Sequence, residues 1–305
     1  MIGVLKRPAE YLLAHGGPAY LLRSWYRGEV LVLAYHDVVP DDLPAPGERS
    51  LHLSRSAFAA QLDRLAASHE VISLDDVLRG GLAAGDRPRA VITFDDAYRG
   101  AVRHGLAETS RRGLPATVFV APHYIGGASF WWDALAEGMG GELPAALRAE
   151  LLETLGGAEA EIRGWAVREG WPVREPPPEA RAATLEELEE AARLPGVTLG
   201  SHSWSHRNLA RLTDTELRDE LERPLRWLRE RFDNVIPWLS YPYGRTSPRV
   251  ERAAAEAGYE GAVTVTAGWT TVPPQRPLAV PRLNIPAGIS PSGFTLQTAG
   301  LFRRV

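Results

Sequence analysis

The chain contains no cysteine, and its only lysine among 305 residues is Lys6. The first absence excludes disulfides, thiolate nucleophiles and cysteine-ligated metals, and it fits a reducing compartment. The second nearly excludes Schiff-base chemistry and a phosphate-binding loop, since Lys6 lies in the N-terminal segment. Neither a G-x-S-x-G elbow nor an H-E-x-x-H helix occurs. No run of 18 apolar residues exists, so no transmembrane segment is expected. A basic surplus is missing too. With 34 Lys and Arg against 38 Asp and Glu the formal charge is −4, which argues against nucleic acid as a partner. No repeat of fixed period is present, so a solenoid is not expected. Available chemistry therefore rests on Asp, Glu, His, Tyr, Ser and Arg.

What is there alternates between strand and helix signals. Residues 29–36 read as a first buried strand ending in His36. A Pro-, Asp- and Gly-rich loop to about Leu53 follows, then a helix capped by Ser54 or Ser56 through Ser68. A short strand at 71–74 and a helix from Asp75 precede the run Val91-Ile92-Thr93-Phe94-Asp95-Asp96, an apolar strand that ends in two carboxylates. A helix from Tyr98 to Arg112 closed by Gly113 and a strand at 116–121 come next.

Between about 129 and 195 the strand signal stops, and this part reads as a helical insertion. Alternation resumes with strands at 196–202, 238–241, 261–266 and 278–285. Seven or so strands separated mostly by helices give an α/β fold, a βα barrel or an open parallel sheet. The domain reading is an N-terminal helical segment over 1–29, a barrel domain over 30–290 carrying the insertion, and a C-terminal tail over 291–305.

No secretory signal is evident in the first 29 residues, which are broken by Pro8, Glu10, Gly16-Gly17-Pro18 and Arg23, so a cytoplasmic location is expected. Tyr11 to Tyr26 is rich in Leu, Tyr and Trp. Packing on the domain is the expected role, with peripheral membrane contact as the other. Oligomeric state is not legible.

In parallel α/β folds chemistry sits at the carboxyl ends of strands, which places Asp95 and Asp96 at the site. His202-Ser203-Trp204-Ser205-His206 also follows a strand, and two His at i and i+4 can converge on one cation. One carboxylate and two imidazoles with open positions form a catalytic divalent-metal set, Zn²⁺ first, with Fe, Co or Mn as alternatives.

Thr93-Phe94-Asp95-Asp96 and His202-Ser203-x-x-His206, followed in order by Tyr241-Pro242-Tyr243-Gly244, resemble the polysaccharide deacetylase family. This is the NodB-homology domain of carbohydrate esterase family 4, and the likeness spans about Val30 to Ile285. The resemblance implies a distorted (β/α)₇ barrel and removal of an acetyl group, N-acetyl above all, from a sugar or short glycan. It implies Asp95 as general base, and Asp96, His202 and His206 as metal ligands. It also implies a metal-activated water as nucleophile and an oxyanion donor from the backbone N–H of Tyr243, or of Tyr241 if the register differs by two.

Three family features are absent. Ser240 stands where the third motif has Arg, no Asp follows Asp233, and no His follows His206. Arg282, near the end of the last strand, is the candidate for the missing positive charge beside Asp95. His36 is the candidate proton donor to the leaving amine, with His123 a weaker one. Trp131, Trp132, Trp204, Trp269 and Tyr241 are candidate sugar-binding surfaces, and Asp133 is a candidate hydroxyl partner or helix cap. The altered motifs leave two alternatives open: a hydrolase of a non-sugar, cyclic or linear amide, and a catalytically silent carbohydrate-binding relative.

Overall fold

The computed structural model describes residues 10–14, 16–80 and 85–301; the first nine residues of the expected N-terminal segment and the last four of the expected tail lie outside them. The organising element is the parallel pair β1 (Glu29–Tyr35) and β5 (Arg89–Phe94), in register from Val30 opposite Arg89 to Tyr35 opposite Phe94. All six residues of β5 and residues 30–35 of β1 are buried, because helices and loops cover both faces of a parallel sheet.

Two short strands, β2 (Asp37–Val39) and β3 (His52–Ser54), pair with each other, and the two-residue β4 (Glu70–Val71) pairs with β5. From β5 the sheet runs through β6 (Ala116–Val120), β7 (Val197–Ser201), β8 (Val235–Ser240) and β9 (Gly261–Val263), each step parallel. The antiparallel β10 (Thr270–Thr271) and the parallel β11 (Arg282–Asn284) both pair with β1. A single parallel bridge, Val263 to Val280, joins β9 to the approach of β11. The sheet is therefore curled almost onto itself, with seven parallel strands around the ring and their carboxyl ends at one rim. This is the distorted (β/α)₇ barrel.

Several elements differ from the sequence reading, each for a local reason. The strand expected at 71–74 stops at Val71 because the Ser73 hydroxyl accepts from Asp76 N and starts the helix Leu74–Arg79. The helix expected over 98–112 opens as a π-helix, Ala101–Gly105, before the α-helical Leu106–Arg111. Asp37 sets that opening: its Oδ1 accepts from Ala101 N at 2.9 Å, and a Cβ on Gly100 would collide with this carboxylate and the Val38 carbonyl. The strand expected over 278–285 shrinks to β11, because Pro277 and Pro281 have no N–H to donate and a 3₁₀ turn, Pro277–Ala279, takes the first half.

The region 129–195 is helical, with α-helices Trp131–Gly138, Ala145–Thr154, Glu159–Arg168 and Leu185–Ala192; a capping box between Thr184 and Glu187 starts the last. Within the segment expected as a C-terminal tail, Pro291–Thr298 is a helix, capped by Ser290, that buries Phe294 and Leu296. The N-terminal helix Pro18–Trp25 packs on it through Ala19, together with Ala14 and Leu22.

Candidate metal centre and cleft

The rim geometry follows from register. Tyr35 and Phe94 are partners, so the next residues along, His36 and Asp95, leave neighbouring strands at one level. His202 leaves β7 and Ser240 ends β8 at the same rim. Five non-glycine residues among those described have a left-handed backbone: Asp96 (φ 69°), Ala97 (50°), Ser203 (59°), His206 (56°) and Tyr243 (59°). All five lie on the three loops that leave β5, β7 and β8 at this rim. Such conformations cost free energy for residues with a Cβ, and their concentration at one place marks a functional centre.

Asp96, His202 and His206 converge. His206 Nε2 lies 3.1 Å from His202 Nε2 and 3.2 Å from Asp96 Oδ1, and His202 Nε2 lies 3.5 Å from the same oxygen. His202 Nδ1 is 2.7 Å from the Ser240 carbonyl, which only accepts, so Nδ1 carries the proton and the Nε2 lone pair faces the cluster. Asp96 Oδ1 is buried without a hydrogen-bond donor.

The electrostatics agree with the geometry. Burial, and then the charges of Asp95 and Asp133, push the Asp96 carboxyl well above the carboxylate range. Burial holds both imidazoles below their usual value, so they are neutral. An orphaned acceptor, two inward-facing imidazole nitrogens and an uncompensated carboxylate are the donor set of a divalent cation. The spacings also match: adjacent ligands on a tetrahedral ion with bonds near 2.0–2.1 Å stand roughly 3.3 Å apart.

Asp95 has a different environment. Arg282, reaching across from β11, donates to its Oδ1 at 2.8 Å and Oδ2 at 2.7 Å. The same guanidinium bonds Thr93 Oγ1, the Thr264 carbonyl and Ser240 Oγ. Burial alone would raise this carboxyl, but the Arg282 guanidinium outweighs it and holds Asp95 below the usual range. Ser240 leaves the space that the guanidinium fills.

His36 lines the cleft and its side chain has no hydrogen bond among the described residues; burial, opposed by Asp95, brings its pKa down to about 4, so it is neutral at pH 7. The cleft, about 1160 Å³, runs from Glu10, Ser290 and Gln297 past His36, Asn284, Asp96 and His206 to Trp132, Tyr243, Arg148 and Arg245.

The structure separates the aromatic candidates. Trp132 lines the cleft, with its ring 4.8 Å from that of His206. Tyr243 lies edge-on to His206 at 4.6 Å. Trp131 is fully buried behind them and donates Nε1–H to the Tyr243 hydroxyl at 3.2 Å, so it supports that ring and offers no surface to a ligand.

Three candidates are placed elsewhere. Trp204 is covered by the Arg223 guanidinium at 3.5 Å, on the helix Asp214–Arg229, because its N–H and that of Ser205 both bond Glu220 and turn the loop toward that helix. Tyr241 is core, with its hydroxyl on the Leu278 carbonyl. Trp269 stacks on Tyr26 at 4.5 Å, and neither it nor the exposed His123 lines the cleft.

One buried network escaped the sequence reading. His52, in what was expected to be loop, lies between Asp37 Oδ2 (2.8 Å) and Asp133 Oδ1 (3.0 Å). Asp133 Oδ2 accepts from the Tyr98 hydroxyl at 2.5 Å, which in turn accepts from Trp132 Nε1 at 2.9 Å. Asp133 is thus neither a ligand group nor a helix cap; it ties the cleft tryptophan to a buried ionic trio. The available signal was Asp37, directly after His36, a carboxylate with no evident partner. Glu48, Arg148 and Asn284 on the cleft wall were also missed, since isolated polar residues carry no pattern.

The sequence profile described as polysaccharide deacetylase matches residues 83–262, more than half of the chain and including both acidic and imidazole motifs. The chain belongs to the polysaccharide deacetylase family. It is accordingly a hydrolase of the amide-cleaving kind. Several solved structures share the fold of this deacetylase-family chain. The Streptococcus pyogenes deacetylase PplD, solved with acetate, is 18% identical at a TM-score of 0.58, covering 87% of this chain and 96% of its own. IcaB from Ammonifex degensii is 18% identical at 0.60, covering 89% and 96%. A de-N-acetylase from Aggregatibacter actinomycetemcomitans is 15% identical at 0.60, covering 88% and 99%. No curated protein sequence matches the chain.

Proposed function

We propose that this polysaccharide deacetylase is a metal-dependent enzyme that removes N-acetyl groups from an acetylated glycan, with Asp96, His202 and His206 as metal ligands and Asp95 as general base. The observation that carries the reading is the division of labour between two adjacent carboxylates. One is clamped in the ionised form by Arg282; the other faces two neutral imidazoles and lacks a counter-charge.

A divalent ion held there, with Zn²⁺ the first candidate, supplies Lewis acidity to the acetyl carbonyl and to water. Asp95, kept anionic, takes the proton from the attacking water. The backbone N–H of Tyr243, whose left-handed conformation turns the peptide at the cleft wall, is the donor for the developing oxyanion. His36 shares the level of Asp95 and faces the cleft; neutral at rest, it is the group to relay to the leaving amine the proton that Asp95 takes from water, so that both groups end as they began when the amide breaks.

Trp132, 4% exposed with Phe130 stacked on one face at 4.6 Å, presents only its cleft-side edge to a sugar ring. The cleft volume exceeds what one monosaccharide fills, which supports an oligosaccharide or a glycan chain as substrate. Acetate release from N-acetylglucosamine oligomers by the zinc-loaded protein tests the reading. Turnover that persists in Asp95→Asn with metal still bound would remove Asp95 as base, and no acetate from any acetylated sugar would favour the non-sugar amide.

A further inference from the structure

The N-terminal helical segment is packed inside out. Toward the helix Pro291–Thr298 it buries Ala14 and Ala19, whereas Leu12 (67% exposed), Tyr20 (62%), Leu21 (60%) and Trp25 (75%) face solvent. Six of the nine exposed large hydrophobic side chains among the described residues fall between Tyr11 and Trp25. A soluble surface scatters such groups singly, so their concentration in one segment marks a docking surface.

Charge identifies the occupant. Residues 1–28 carry four basic side chains, Lys6, Arg7, Arg23 and Arg27, and one acidic, Glu10. Subtracting them from the totals of 34 and 38 leaves 30 basic and 37 acidic in the rest of the chain. Glu10 turns inward to bond Ser290 at the end of the catalytic cleft, and Arg27 is exposed. Among the described residues of this segment Arg27 is the exposed charge, and a net basic segment carrying exposed Leu, Tyr and Trp fits a surface that is apolar within and anionic outside. It disfavours a symmetric second copy, which would set arginine against arginine.

We propose that this segment docks on an anionic membrane surface, with Leu12, Tyr20, Leu21 and Trp25 entering the headgroup boundary and Arg27 pairing with lipid phosphates. The end of the cleft at Glu10 and Ser290 then opens beside the membrane. This inference stands apart from the reading of the catalytic residues.

The test is sedimentation of the full chain with vesicles of phosphatidylcholine alone and of phosphatidylcholine mixed with phosphatidylglycerol. The wild type is expected to sediment with the mixed vesicles and to be released as salt rises. Leu21→Ser with Trp25→Ser should weaken that partition at least about tenfold. Both side chains are solvent-exposed, so melting and metal content should be unchanged. Val167→Ser, at an apolar position 73% exposed elsewhere, should bind like the wild type. Wild type left in the supernatant, a double variant that sediments equally, or a loss matched by Val167→Ser would each overturn the proposal. Self-association that the double variant abolishes, without vesicle binding, would assign the face to a second copy and overturn it equally.

Discussion

Replacing Arg282 with Met separates the ion pair from its surroundings. The guanidinium is wholly buried and makes five hydrogen bonds, two to Asp95 and one each to Thr93, Ser240 and the Thr264 carbonyl. Met keeps much of the volume and none of the donors. Asp95 is left as a buried carboxylate without a partner, and losing one member of such a pair costs about 3–5 kcal/mol. Urea unfolding of Arg282→Met at neutral pH should therefore show a loss of that size, with the m-value unchanged. The double variant Asp95→Asn, Arg282→Met should recover part of it, since the stranded charge is gone. Turnover should fall in both, because one lacks an ionised base and the other has none. The reasoning is refuted if Arg282→Met costs less than about 1 kcal/mol, the worth of an exposed pair, or if the two substitutions add without coupling.

Chelation should abolish acetate release and zinc should restore it; His202→Ala should lower bound zinc, read by elemental analysis, without unfolding the chain. Stability should fall as pH rises toward alkaline values. Burial opposes the charged form of His52, but Asp133 and Asp37 outweigh it and bring its pKa from 6.5 up to about 10. A raised pKa contributes stability that is complete below pH 6.5 and lost as pH passes through about 10, so melting temperature should drop across that window. His52→Gln should flatten the drop; a wild-type melt that is level from neutrality to pH 10 would contradict the assignment. Restoring the family's arginine with Ser240→Arg should destabilise, by about 1–3 kcal/mol or more, because the Arg282 guanidinium already fills that space. A stable, more active Ser240→Arg would show that the two arginines are interchangeable.

The barrel was legible because parallel strands buried on both faces must be apolar over most of their length, as β1 and β5 are, and because each ends in a residue that cannot stay inside without a reason. His36, Asp95 and His202 are such residues, and their positions on the rim follow from strand period alone. Trp204 misled for the opposite cause. It sits between the two imidazoles in the chain, yet the left-handed turn at Ser203 and the pull of Glu220 swing its ring onto Arg223. Adjacency along a loop says nothing about which way a side chain leaves it.

Residue types and their order along the chain were enough to determine the alternation of strand and helix, the acidic doublet, the imidazole couple and the family they mark, since these are local patterns set by backbone period and by the donor types a cation accepts. The sequence offered Arg282, 187 positions from Asp95, as a candidate for the charge beside that carboxylate; tertiary structure decided that it grips both oxygens through the space beside Ser240. It alone decided that His52 anchors the cleft tryptophan through Asp133 and Tyr98, and that the N-terminal helix turns its alanines inward. Contacts of that kind depend on which strands become neighbours when the sheet curls, and no local period encodes that.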